Sequence, residues 1–84
     1  MYELIFDPEA IDYLEKLEKK DAKRIWNKLQ AAKEYPLRFF ERLSDRIDYK
    51  LRVGDYRVIV DIDIKQKKIE VRLIGHRRNI YDRN

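Results

Sequence analysis

The chain has 84 residues, 43% of them charged, and a formal net charge of +4. That length allows one small domain with a shallow core, burying roughly 60% of the unfolded surface, and leaves no room for a second. The absence of cysteine removes disulfides and thiolate metal ligands. With Ser44 the lone serine, no threonine, His76 the lone imidazole and Gly54 and Gly75 the lone glycines, there is no nucleophile elbow and no glycine-rich nucleotide loop.

Tyr2, Leu4 and Phe6 alternate with Glu3 and Ile5, the period of a short first strand. Asp7-Pro8-Glu9 then opens a helix: Asp7 can accept from the free N–H groups of the first turn, Pro8 loses no hydrogen bond at the first helical position, and Glu9 favours the positive end of the dipole. Ala10, Leu14 and Leu17 form its apolar stripe. Ala22, Ile25, Trp26, Leu29 and Ala32 continue at steps of three and four until Pro36, which places Trp26 in the expected core. One helix from Pro8 to Tyr35 would run roughly 42 Å at 1.5 Å per residue, too long for so small a domain, so a break near Lys19-Lys20-Asp21 is expected and the segment becomes a helical hairpin. Leu37 to Arg46 reads as a connector whose Phe39 and Phe40 plug the end of the core.

From Ile47 the period becomes two. Ile47, Tyr49, Leu51 and Val53 form one strand, Tyr56, Val58, Val60 and Ile62 the next, and Ile69, Val71 and Leu73 mark a last strand. Gly54-Asp55 is a two-residue hairpin turn with glycine first. This turn sets Val53 opposite Tyr56, Leu51 opposite Val58 and Arg52 opposite Arg57, with Lys50 on the side of both arginines. Like charges opposed across a ladder cost a few tenths to about 1 kcal/mol, which is odd in a purely structural hairpin and is relieved by an anion. The expected fold is α+β and two-layered: an N-terminal strand, a helical hairpin, and an antiparallel sheet with one open basic face, all within a single domain, residues 1–84.

The charge distribution points the same way. Residues 1–46 hold ten basic and ten acidic side chains, whereas residues 47–84 hold ten basic against six acidic and supply the whole excess. The first half reads as scaffold and the second as contact surface, with RNA the expected partner. The N-terminus lacks the apolar stretch of a signal peptide and nothing approaches a membrane span, so a cytosolic protein that does not engage membrane is expected. High charge with few Asn, Gln and Met leans toward a thermophilic source.

Two blocks, Leu51-Arg52-Val53-Gly54-Asp55-Tyr56-Arg57 and Gly75-His76-Arg77-Arg78-Asn79-Ile80-Tyr81, together resemble a RelE-type toxin of the RelE/ParE superfamily, and the likeness covers nearly the whole chain. The resemblance implies a toxin that cleaves mRNA in the ribosomal A site, is silenced by a cognate RelB-like antitoxin, and meets operator DNA only through the antitoxin complex. It further implies Arg57 as phosphate-binding arginine, Arg77 as transition-state stabiliser or proton donor, Tyr81 as the group that activates the ribose 2′-hydroxyl, and Lys50 as a helper lysine. Arg52, His76 and Arg78 complete the expected substrate-binding set. Asp48 stands where some relatives carry a second lysine, a departure that bears on cleavage efficiency.

The residue types suit that chemistry on their own terms. RNA cleavage through its own 2′-hydroxyl needs a proton acceptor, positive charge at the equatorial phosphate oxygens and a donor for the leaving 5′ oxygen, with no cofactor or metal. Tyr acts as a base only if its pKa falls from about 10, which neighbouring Arg57, Arg77 and Lys50 promote; His76, ordinarily near 6.5, is the alternative base. Two other functions fit the sequence: a non-catalytic ParE-like toxin that inhibits DNA gyrase, and a non-toxic nucleic-acid-binding module, whose mark would be salt-sensitive binding without cleavage.

Overall fold

The computed structural model describes residues 1–43 and 48–80. Strand β1 (Glu3–Phe6) leads into helix α1 (Pro8–Lys16), then α2 (Lys19–Ala32), a single turn α3 (Pro36–Phe39), and strands β2 (Glu41–Arg42), β3 (Tyr49–Val53), β4 (Tyr56–Asp63) and β5 (Lys68–His76). The sheet order is β1-β5-β4-β3-β2. β2 to β5 form an antiparallel meander, and β1 joins its edge parallel to β5, which makes the sheet mixed. This is the expected two-layer α+β arrangement, with β2 an addition within the stretch read as a connector.

The longest dimension of the chain is 34 Å, so a continuous helix through both apolar stripes would not fit. The break falls at Leu17-Glu18, slightly before the expected Lys19-Lys20-Asp21; Leu17 turns extended and its N–H bonds back to Leu14 O. Pro36 starts α3 as well as ending the pattern, because proline is tolerated in a first helical turn. Asp7 occupies the N-cap position of α1, but its side chain makes no capping bond. Its carboxylate lies instead beside the Glu70 carboxyl, and the hydrogen bond it can accept from protonated Glu70, with the Asp7 charge, raises the Glu70 pKa above the ordinary value.

Ile25, Leu29 and Ala32 of α2 and Ala10 of α1 meet Leu51, Val53, Val58, Val60, Ile69, Val71 and Ile74 of the sheet in one buried cluster, closed at its end by Phe40 with Phe39 packed beside it. Trp26 departs from the expected pattern. It stacks on Phe6 at 5.6 Å between centroids, yet 46% of it is exposed, because its ring lies over the rim of the core. The position is on the stripe, but the residue is too large to enter a core this shallow.

A β-bulge decides what stands on each face of β5. Ile59 pairs with Leu73 and Val60 with Val71, so Arg72 is the extra residue. Regular alternation would put Leu73 in the same cluster as Ile69 and Val71. The bulge sends Leu73 to the opposite face, where it joins Ile59, Ile80 and Leu43 in a second apolar cluster, and brings Ile74 into the main core. The face turned away from the helices is therefore basic at the hairpin end and apolar in its middle.

Candidate functional site

The β3–β4 hairpin has the expected register, with Arg52 opposite Arg57, Leu51 opposite Val58 and Val53 opposite Tyr56. Gly54 takes φ +58°, the left-handed value required of the first residue in this turn. On its other side β4 pairs with β5, setting Gly75 opposite Arg57 and His76 opposite Tyr56. The two sequence blocks thus meet side by side. The Arg77 N–H donates to Asp55 O at 2.8 Å, and its Nε lies 3.8 Å from Asp55 Oδ1, so the chain leaving β5 is tied to the hairpin turn.

Arg57 is 9% exposed. Its Nη1 donates to Gly54 O at 3.0 Å and Tyr56 O at 2.9 Å, which anchors the guanidinium against its own turn. Arg52 is exposed directly across from it, and Lys50, half-buried, faces Ile59 on one side and Glu41 on the other. Arg77 and Arg78 are exposed just beyond the strand. Farther along the same face of β4 the sign reverses at Asp61, which pairs with Arg72 at 3.5 Å. The positive charge is confined to the hairpin end.

His76 stands apart from this group. Its ring meets the Tyr56 ring edge-on at 5.9 Å, on the helix side of the sheet, because the bulge has shifted the phase of β5. Nδ1 accepts from the Arg78 N–H at 3.3 Å, which ties the ring to the backbone just beyond the strand. Tyr56 donates its hydroxyl to Asp21 Oδ2 at 3.3 Å, joining the hairpin to the first turn of α2; burial, then the Asp21 carboxylate, push its phenol above the ordinary value. A phenol so placed is the wrong way shifted for a base.

Asp48 is buried at the start of β3, where its carbonyl accepts from the Leu43 N–H. Tyr81, the expected base, lies outside the described residues. One cationic contributor escaped the sequence reading: Arg24 of α2, whose guanidinium sits so close to the turn that a Cβ on Gly54 would come within 2.8 Å of Nη2. Its signal in the sequence was only a basic residue one step before Ile25, on a helix read as scaffold.

The family description "ParE toxin of type II toxin-antitoxin system, parDE" matches residues 4–81. Among solved structures the chain is similar to the RelBE2 toxin–antitoxin complex of Mycobacterium tuberculosis, with 22% identity over 89% of this chain and 96% of that one, at a TM-score of 0.79. It is similar also to the intact Escherichia coli RelBE complex, with 25% identity over 90% and 96% and a TM-score of 0.77. The archaeal RelE–RelB complex of Pyrococcus horikoshii OT3 gives 25% identity over 90% and 94%, at 0.75. No curated protein sequence matches at a significant level. Among the described residues, no helix is long and apolar enough to cross a membrane.

Proposed function

The chain belongs to the ParE toxin family of type II toxin–antitoxin systems, within the RelE/ParE superfamily, and from that membership we propose that it is a ribosome-dependent endoribonuclease that cuts A-site mRNA in the cytosol and so stops translation. The observation that carries the reading is the opposition of Arg52 to Arg57 across the hairpin, with Arg77 tied to the same turn. Two arginines opposed across a ladder cost stability unless an anion offsets their charge, and a scissile phosphate is an anion that does so.

The geometry at Arg57 and Arg77 supports the roles that the resemblance implies. With Arg57 Nη1 committed to two carbonyls, the Nε and Nη2 edge is the one that pairs bidentately with phosphate oxygens, already oriented and largely desolvated. Arg77, half-exposed and held by a loose contact to Asp55, is free to follow the leaving 5′ oxygen as its charge develops. Lys50 and Arg52 add charge along the adjoining backbone, and Arg78 extends it beyond the strand. Tyr81 takes the 2′-hydroxyl proton. His76 is the weaker candidate for that step: Nδ1 accepts the Arg78 N–H, so the neutral ring carries its proton on Nε2 and offers a donor. Attack by the 2′ oxygen on phosphorus forms the O–P bond and breaks the bond to the 5′ oxygen, which leaves with its charge offset by Arg77 and takes a proton from water, giving a 2′,3′-cyclic phosphate and a 5′-hydroxyl.

The solved relatives are complexes of RelE with RelB, which supports a RelB-like antitoxin as partner here, laying helix and carboxylates over the basic end of the sheet. Operator DNA is met only through that complex. A second reading, inhibition of DNA gyrase without catalysis, is favoured by the ParE description of the matching family. One experiment separates them: programmed ribosomes and a gyrase supercoiling assay are exposed to the same preparation. The proposal expects mRNA cut with a cyclic phosphate end, protection by a 2′-deoxy residue at the cut position, and unimpaired supercoiling. Intact mRNA with blocked supercoiling would establish the second reading in its place.

A further inference from the structure

Between α2 and the tip of the β3–β4 hairpin lies an open cleft of about 490 Å³, lined by Arg24, Asn27, Lys28, Phe39, Arg52 and Gly54 among others. Arg24 and Lys28 are four apart on α2 and so project from one face of the helix toward the hairpin. The Arg24 guanidinium rests on Gly54, the one residue type that lets it approach so closely. Lys28 Nζ lies over the Phe39 ring, 5.7 Å from its centroid, which holds the ammonium at the cleft wall. Among the described residues no carboxylate lines the cleft and no ion pair engages Arg24, Lys28 or Arg52.

Arg52 joins this cleft to the cationic face. By register it stands opposite Arg57, yet it also lines the cleft. It can do both because β2 pairs with β3 only at Tyr49 and Lys50, so that among the described residues no strand covers the outer edge of Leu51–Val53, and Arg52 stands at that open edge between the face and the cleft. The positive charge therefore runs from Arg57, over the edge at Arg52, to Arg24 and Lys28.

We propose that this cleft is a second RNA-binding site, which takes the phosphate backbone of a single strand continuing from the cationic hairpin face around the edge of β3. The inference rests on RNA being the ligand of that face. Recognition is by charge, since Phe39 is packed against the core beneath Lys28 and presents no free ring for stacking, so binding is tolerant of sequence. An acidic protein segment is the competing occupant. A continuous path from the hairpin favours RNA, because one strand brings several evenly spaced charges to the face, the edge and the cleft at once.

The test uses the full chain and a fluorescent single-stranded RNA of 12 nucleotides, fully 2′-O-methylated so that it cannot be cut, with anisotropy read across a salt series. Each phosphate contact contributes about 0.7 to the slope of log K against log salt for a single strand. The Arg24→Gln/Lys28→Gln variant should lose about 1.4 from that slope and roughly 50-fold in affinity near 50 mM salt, with the difference closing toward 1 M. Arg24→Lys/Lys28→Arg should restore both, and circular dichroism should match wild type. Equal slopes for wild type and the Gln variant overturn the proposal, as does a wild type that does not bind. A Gln variant that keeps RNA but loses a 12-residue oligoglutamate probe overturns it in favour of the acidic segment. Because the probe is uncuttable, a chain that never cleaves mRNA can still pass, and one that cleaves normally can still fail.

Discussion

Replacing Arg57 by alanine should cost both stability and catalysis, and the two losses are separable. Nη1 holds two carbonyls of the turn, and hydrogen bonds from a charged donor are worth about 1.5–3 kcal/mol. Gly54 is exposed, so water takes over its carbonyl when the guanidinium leaves, which puts the loss at the low end. Against it stands relief of the opposed Arg52 charge, up to about 1 kcal/mol. The net is a destabilisation of about 1–2 kcal/mol, or a fall in Tm of roughly 4–15 °C for a domain this small. Urea and thermal unfolding followed by circular dichroism measure that part. Single-turnover cleavage on programmed ribosomes, at a temperature where both proteins are folded, measures the rest, and loss of one transition-state donor should lower the rate about 10² to 10³-fold. An unchanged midpoint would refute the anchoring of the turn, and a rate that falls only with the folded fraction would refute a catalytic Arg57.

Tyr81→Phe should slow the chemical step about 10² to 10⁴-fold with ribosome binding nearly unchanged, while His76→Gln stays near wild type in the same single-turnover assay; the reverse pattern makes His76 the base. Gly54→Ala should destabilise by about 1–2 kcal/mol, since a Cβ is strained at φ +58° and meets Arg24 as well, and an unaltered urea midpoint would contradict that strain. Glu70 has its pKa raised above 4.5 by Asp7, so its stabilising contribution is full below the ordinary carboxylate range and is lost as pH rises through the raised value. Glu70→Gln should therefore have the higher Tm at pH 7, with the advantage vanishing below about pH 4, and a constant difference across pH would exclude the linkage.

The hairpin was legible because local rules determine it: a glycine that must take positive φ, a loop of two residues, and alternation on both sides leave a single register. The helical hairpin was legible from length. Where the reading went astray, a single unit had more than one role available. Leu73-Ile74, two apolar residues in succession, carried the only sign of the bulge, and regular alternation chose Leu73 for the wrong face. Ile59, apolar on the face it shares with Arg57 and Asp61, was the corresponding sign of a second apolar cluster. Asp7 had two possible partners, helix N–H groups near in sequence and Glu70 far from it, and only the fold brings the second within reach. β2 holds two residues, too few for any period to register.

The parallel pairing of β1 with β5 has a consequence for how the protein comes into being. Among the described residues Leu4 and Phe6 have no strand partners except Ile69 and Val71, most of the chain away. On a ribosome adding about 5–20 residues per second, β1 leaves the exit tunnel seconds before its neighbour does. During that interval the sheet cannot close, and Arg57 lacks the Gly75 segment that lies beside it in the finished fold. The nascent chain therefore cannot complete its sheet, or bring Gly75 beside Arg57, until β5 has emerged and seats between β1 and β4.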